Sequence, residues 1–199
     1  MKILLVEDQA MVRGALKALL NLEQELEVVH DCASAEQAQH WLTHNSVDLV
    51  LSDIELPGIN GIDLIEWIKK QTFDPHCVIV TTFGRAGYIR RAIDAGADAF
   101  LLKDAPSEQL AKALHRVSQG HKVIDAELAL KALGDKNPLS DKERRALALA
   151  ADGLSSRDIA KRLCLSDGTV RNYLSEAISK LHAANRIDAA RIARQQGWL

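Results

Sequence analysis

The stretch Val47–Gly61, VDLVLSDIELPGING, decides the fold of this chain. Its first half has apolar residues in nearly every place, as a strand buried on both faces of a helix-covered parallel sheet does. Asp53 stands where that strand ends, Glu55 follows two residues on, and Pro57-Gly58 breaks the chain. A carboxylate at the end of a buried strand is costly without a partner. Whatever balances Asp53 has to come from elsewhere in the sequence.

Working outward, the same pattern recurs on both sides. KILLVED, LEVVH, VDLVLSD, HCVIVTT and AFLLKD read as five strands, each followed by an amphipathic helical segment. Gly96 ends the fourth helix and Pro106 opens the fifth. Five β-α units with right-handed crossovers give an α/β domain, a doubly wound five-stranded parallel sheet of the flavodoxin type, over residues 1–120. Residues 121–137 read as a linker with a short helix near Ala126–Leu133, closed by Asn137-Pro138. Residues 138–199 carry no strand signal. Ser140 with Glu143 three residues on has capping-box spacing, Ser155 or Ser156 starts a second helix, Ser166 caps a third, and Arg186–Gln196 forms a fourth. The second domain is all-α.

Composition agrees with a globular protein: 47% of the 199 residues are hydrophobic and 26% charged. No apolar run reaches the roughly 18 residues of a membrane span, and the first residues lack the pattern of a signal peptide, so a cytoplasmic chain that does not engage the membrane is expected. The net charge of −2 conceals a division. Residues 1–120 hold 17 acidic and 11 basic side chains, whereas residues 121–199 hold 10 and 14. A basic second half suits nucleic acid, though many ordinary domains carry as much. Cys32, Cys77 and Cys164 are too scattered for a zinc or redox motif and are expected as reduced, mostly buried thiols. His40 and His44 lack a third ligand and are expected on a solvated face.

Ligands of open α/β sheets bind beyond the carboxyl ends of the strands. Glu7 and Asp8 end the first strand, Asp53 the third, Thr81 and Thr82 the fourth, and Lys103 the fifth. Three carboxylates on one edge call for a cation, and oxygen ligands around an open site suit Mg²⁺. A lysine and a hydroxyl beside them suit a phosphoryl group.

Glu7-Asp8, Asp53 with Pro57-Gly58, Thr81 and Lys103 resemble the site of two-component receiver domains, over residues 1–120. The resemblance implies that Asp53 is phosphorylated by a sensor histidine kinase. It implies that Asp8, Asp53 and the backbone carbonyl of Glu55 hold Mg²⁺, with Glu7 acting through metal-bound water. Thr81 and Lys103 receive the phosphoryl oxygens, and Phe100 is the switch aromatic that turns inward. Such a chain is no enzyme beyond its own phosphoryl transfer and dephosphorylation.

In the second half, SSRDIAKRLCLSDGTVRNYLSEAISKL reads as helix, tight turn, helix. Arg171 and Asn172 suit bidentate pairing with guanine and adenine, with Thr169 and Ser175 beside them. Arg157, Lys161, Lys180 and Arg186 suit phosphates. Residues 138–199 resemble the LuxR/NarL-type helix-turn-helix, although Tyr173 stands where that family often has His. The resemblance implies binding to double-stranded promoter DNA as a homodimer formed on phosphorylation, with Ile187, Ala190 and Ala193 as the dimerisation element. TTFGRAGY, LLKDAPSEQL, GTVRNY and the GW near the end are similar to regulators of membrane fatty-acid desaturation within that family. Two other readings are a haloacid dehalogenase-type Mg²⁺-dependent phosphatase, with Glu55 as general acid, and a DNA-binding regulator independent of phosphorylation.

Overall fold

The computed structural model describes residues 1–132 and 137–199. They fall into two compact units, Met1–Gly84 with Ile89–Leu130, and Arg85–Tyr88 with Lys131–Leu199. In chain order the first elements are β1 (Lys2–Val6), α1 (Ala10–Asn21), β2 (Glu27–Cys32), α2 (Ala35–Leu42), β3 (Leu49–Ser52), α3 (Gly61–Ile68), β4 (His76–Thr81), α4 (Ala86–Asp94), β5 (Ala99–Leu102) and α5 (Ser107–Ser118). Then come β6 (Val123–Ile124) and α6 (Ala126–Ala132).

All strand pairs are parallel, in the order β2-β1-β3-β4-β5-β6. The order reverses on either side of β1, which opens a crevice at the carboxyl ends of β1 and β3. On one face Ile3, Leu5, Leu49, Leu51, Val78 and Val80 pack under Leu16 and Leu20 of α1 and Leu114 and Val117 of α5. By the two-residue period of a strand, Leu4, Val50, Ile79 and Phe100 point the other way. They are just as buried, so both faces are covered. Each such side chain contributes about 1.5–3 kcal/mol through burial, which is what commits this apolar pattern to a two-sided sheet.

The sheet has one strand more than expected. Val123 and Ile124 pair with Ala99 and Phe100, so the segment 121–137 is not a plain linker. It adds β6 to the sheet, and the first unit extends to Leu130. The expected helix is present from Ala126, while its expected end at Leu133 lies outside the described residues.

The second unit holds α7 (Asp141–Ala151), α8 (Ser156–Leu163), α9 (Asp167–Lys180) and α10 (Arg186–Gln195). Ser140 and Glu143 close a reciprocal capping box, and Ser155 and Ser166 cap α8 and α9 through their hydroxyls. Leu147, Ile159, Val170, Leu174, Ala177, Ala189 and Trp198 form its core. The turn between α8 and α9 passes through Cys164 in the left-handed region, at φ 54°. Cys164 is exposed, unlike Cys32 and Cys77, whose thiols burial pushes up to about 11 and about 12. No helix among the described residues is long and apolar enough to cross a membrane.

Candidate functional site

The carboxyl edge of the sheet gathers the charged residues. Asp53 follows β3 directly, its amide donating to the carbonyl of Val6 at 2.9 Å. It is 3% exposed, and both carboxylate oxygens are engaged. Oδ1 accepts from the amide of Ile54 at 2.7 Å and Oδ2 from Nζ of Lys103 at 2.8 Å. The same ammonium lies 2.6 Å from Oε2 of Glu7, which is wholly buried. That contact is an ion pair without good hydrogen-bond direction, and Oε2 has no hydrogen-bond partner among the described residues. Oε1 of Glu7 accepts from the amide of Gln9 at 3.1 Å.

Burial drives the Glu7 carboxyl above its ordinary value; Lys103 opposes the rise and the charge of Asp53 adds to it. Burial acts on Lys103 in the opposite sense, but its bond to Asp53 and its ion pair with Glu7 outweigh that and raise its pKa. Glu7, Asp8 and Asp53 bring one oxygen each within 4.8 Å of one another. Asp8 is exposed, which leaves the group open to solvent on that side. Glu55 is exposed in the next loop, and its carboxylate is outside the group of three.

Thr81 is fully buried at the end of β4, its hydroxyl accepting from the amide of Phe83 at 3.4 Å. Phe100 is 1% exposed. The ring expected to turn inward is inward already, because its place on the covered face of β5 is filled by packing rather than by any charge at the acid edge. Sequence reasoning passed over two supports of Asp53. Ser52 donates to the carbonyl of Asp53 at 2.8 Å, and a Cβ on Gly61 would sit 1.8 Å from that same oxygen. Gly61 is therefore required by a close backbone approach, a need that no periodicity signals.

In the second unit Arg171, Asn172 and Ser175 are exposed on α9, with Thr169 half-buried beside them. The guanidinium of Arg171 pairs with Asp167 one turn earlier. Arg157, Lys161 and Arg186 are exposed. Lys180 is placed differently from expectation. Its ammonium lies 2.8 Å from both oxygens of Glu143, and so ties α9 to the capping box of α7. Burial alone would raise the Glu143 carboxyl, but Lys180 and the Ser140 bonds hold it below its ordinary value. A second correction concerns α10. Ala190 and Ala193 are in the core, 5% and 0% exposed, so they cannot form a surface for a second copy. Ile187, 76% exposed, is the one of the three that faces solvent.

Residues 3–115 match the response regulator receiver domain family, and residues 137–193 match the bacterial regulatory proteins of the luxR family. The chain is 41% identical over 198 residues to the uncharacterized transcriptional regulatory protein YvfU of Bacillus subtilis (strain 168), covering 100% of this chain and 99% of that one. It is equally 41% identical to the transcriptional regulatory protein DesR of the same organism, covering 98% of each. Among solved structures it resembles the response regulator ChrA of a heme-sensing two-component system. The TM-score is 0.57 at 30% identity, over 100% of this chain and 98% of that one.

Proposed function

The chain belongs to the response regulators that join a receiver domain to a LuxR-type DNA-binding domain, and from that premise we propose that Asp53 accepts a phosphoryl group which makes the chain a dimeric, promoter-binding transcription factor. The carrying observation is the convergence of Lys103 on Asp53 and Glu7, with Asp8 alongside, in a chain that also holds a helix-turn-helix.

A carboxylate oxygen of Asp53 attacks phosphorus, the N–P bond of a sensor kinase's phosphohistidine breaks, and the electron pair stays on an imidazole that leaves neutral, its other ring nitrogen already protonated. The donor set fits Mg²⁺: clustered carboxylate oxygens, one side open to solvent, and a buried Glu7 oxygen lacking a hydrogen bond. Asp8, Asp53 and the Glu55 carbonyl would hold the ion, and Glu7 would act through its water. Bound there, Mg²⁺ supplies positive charge against the incoming phosphoryl oxygens. Lys103 exchanges its bond to Asp53 for one to the phosphoryl group, and Thr81 offers its hydroxyl.

The new group brings about −1.5 to −2 charges. Phosphorylation then selects between packings of this edge. With Phe100 buried from the start, it holds the ring in place rather than drawing it in. Two chains brought together place two α9 helices on adjacent half-sites of double-stranded DNA, and affinity rises through effective concentration. The protein works in the cytoplasm.

Beryllofluoride or acetyl phosphate with Mg²⁺ tests this on wild type and Asp53→Ala, by sedimentation and DNA mobility shift. Wild type should dimerise and bind promoter DNA more tightly, and Asp53→Ala should do neither. A wild type that stays monomeric with unchanged DNA affinity refutes the switch, and phosphate incorporated by Asp53→Ala refutes the acceptor.

A further inference from the structure

The loop between β1 and α1 carries Glu7 and Asp8, and its backbone is held from outside the acid cluster. Arg13, in the first turns of α1, donates from Nη1 to the carbonyl of Glu7 at 2.6 Å and to that of Asp8 at 3.3 Å. Its Nε donates to Oδ2 of Asp31 on β2 at 3.2 Å. Oδ1 of Asp31 accepts from Nζ of Lys17 at 2.6 Å. The Lys17 bond, with Arg13 adding to it, holds the Asp31 carboxyl below its ordinary value, so Asp31 is anionic at neutral pH.

A guanidinium this close to a cation site raises a question of sign. Positive charge near Mg²⁺ weakens binding unless it is neutralised and unless its contacts bring something larger in return. Asp31 supplies counter-charge, which it shares between Arg13 and Lys17, and the contacts of Arg13 bring the larger return. One nitrogen of the guanidinium reaches two consecutive carbonyls, those of the two residues whose carboxylates approach Asp53. Holding both carbonyls sets the peptide planes from which both side chains project. The fork holds Asp31 through Nε while Nη1 takes the carbonyls, a fixed division of donors that a lysine ammonium lacks.

We propose that Arg13, oriented by Asp31, is a positioning residue that sets the divalent-cation affinity of the Glu7, Asp8 and Asp53 cluster. The proposal rests on reading that cluster as the Mg²⁺ site.

The test is direct titration of the full chain with Mg²⁺ by calorimetry, and with Mn²⁺ by paramagnetic resonance, alongside the unfolding free energy of each variant. Arg13→Ala should weaken cation binding about tenfold or more, the usual scale for residues that orient metal ligands. Arg13→Lys keeps the charge but loses the fork, and should also bind several-fold more weakly. Asp31→Asn should weaken binding as well. A guanidinium acting only as a nearby charge predicts the reverse, because its removal would tighten binding. Equal or tighter binding by Arg13→Ala overturns the proposal; if that variant does not fold, wild-type affinity in Arg13→Lys does so. Asp8→Asn separates the two levels. If wild type binds no Mg²⁺, or Asp8→Asn binds it equally well, the metal reading itself falls and the positioning role with it. If wild type binds, Asp8→Asn does not, and the Arg13 variants match wild type, only the positioning role falls.

Discussion

The ammonium of Lys103 lies 2.8 Å from Oδ2 of Asp53 and 2.6 Å from Oε2 of Glu7, so one cation just after β5 is shared by two buried carboxylates just after β3 and β1. Lys103→Met should therefore cost about 3 kcal/mol without metal, through the buried charge left unpaired. Mg²⁺ should recover most of that loss and should bind the variant more tightly than wild type, since it no longer competes with the ammonium. Urea unfolding at several Mg²⁺ concentrations measures both. The pKa of Lys103 is raised on folding, so its stabilisation is complete below the ordinary value of 10.5 and is lost as pH rises through the higher folded value. That alkaline loss should be present in wild type and absent from Lys103→Met.

Gly61 and Asp53 are in backbone contact, and an alanine methyl would fall 1.8 Å from the carbonyl oxygen of Asp53. Gly61→Ala should destabilise the first unit by about 3 kcal/mol, the upper end for overpacking, because backbone cannot swing aside as a side chain does. Phosphate incorporation from acetyl phosphate should fall as Asp53 shifts. Wild-type stability together with wild-type incorporation would contradict this geometry.

Lys180 and Glu143 join α9 to α7 with two contacts of 2.8 Å. Lys180→Met should cost about 1–2 kcal/mol, less than a fully buried pair because the lysine side chain is 37% exposed. The Glu143 pKa is lowered on folding, so this contribution is present above the ordinary value of 4.5 and vanishes as pH falls through the lower folded value. Wild type and variant should thus converge in acid, as followed by circular dichroism.

On α9, Arg171 pairs with Asp167 at the start of the helix. Arg171→Ala should weaken specific DNA binding by about 1–3 kcal/mol and relax the preference at one base position. Asp167→Ala should instead loosen that preference while raising non-specific affinity, since it removes a negative charge near the phosphates. Competition binding against a set of single-base operator variants distinguishes these outcomes.

On α10, Ile187→Asp should leave the melting temperature within about 2 °C of wild type, as is usual for an exposed position. It should weaken dimer formation by the phosphorylated chain in sedimentation. Ala193→Asp places a charge in the core and should unfold the second unit. An Ile187→Asp chain that dimerises normally would remove α10 from the interface.

The acid edge was legible in the sequence because burial on both faces writes strands as unbroken apolar runs. Charged residues at the ends of such runs then stand out, as Asp53 and Lys103 do. β6 was not legible: two residues, Val123 and Ile124, are too few for a period and become a strand only by pairing with β5. On α10 the helical spacing of Ile187, Ala190 and Ala193 was real, but three or four residues on a helix do not say which side faces the core. The bundle turned the two alanines inward. Lys180 read only as a cation for phosphates because its partner Glu143 lies 37 residues earlier.

By itself, then, the sequence determined two domains, a sheet with its acid edge, and a unit of capped helices, since these follow from local periodicity, caps and strand ends. Tertiary structure alone decided how each charge is used. It placed Lys103 between Asp53 and Glu7, Arg13 on the carbonyls of Glu7 and Asp8, Lys180 on Glu143, and Phe100 inside. The physical reason is that an ion pair or a buried ring depends on distances between residues remote in the chain, and such distances exist only once the core has packed.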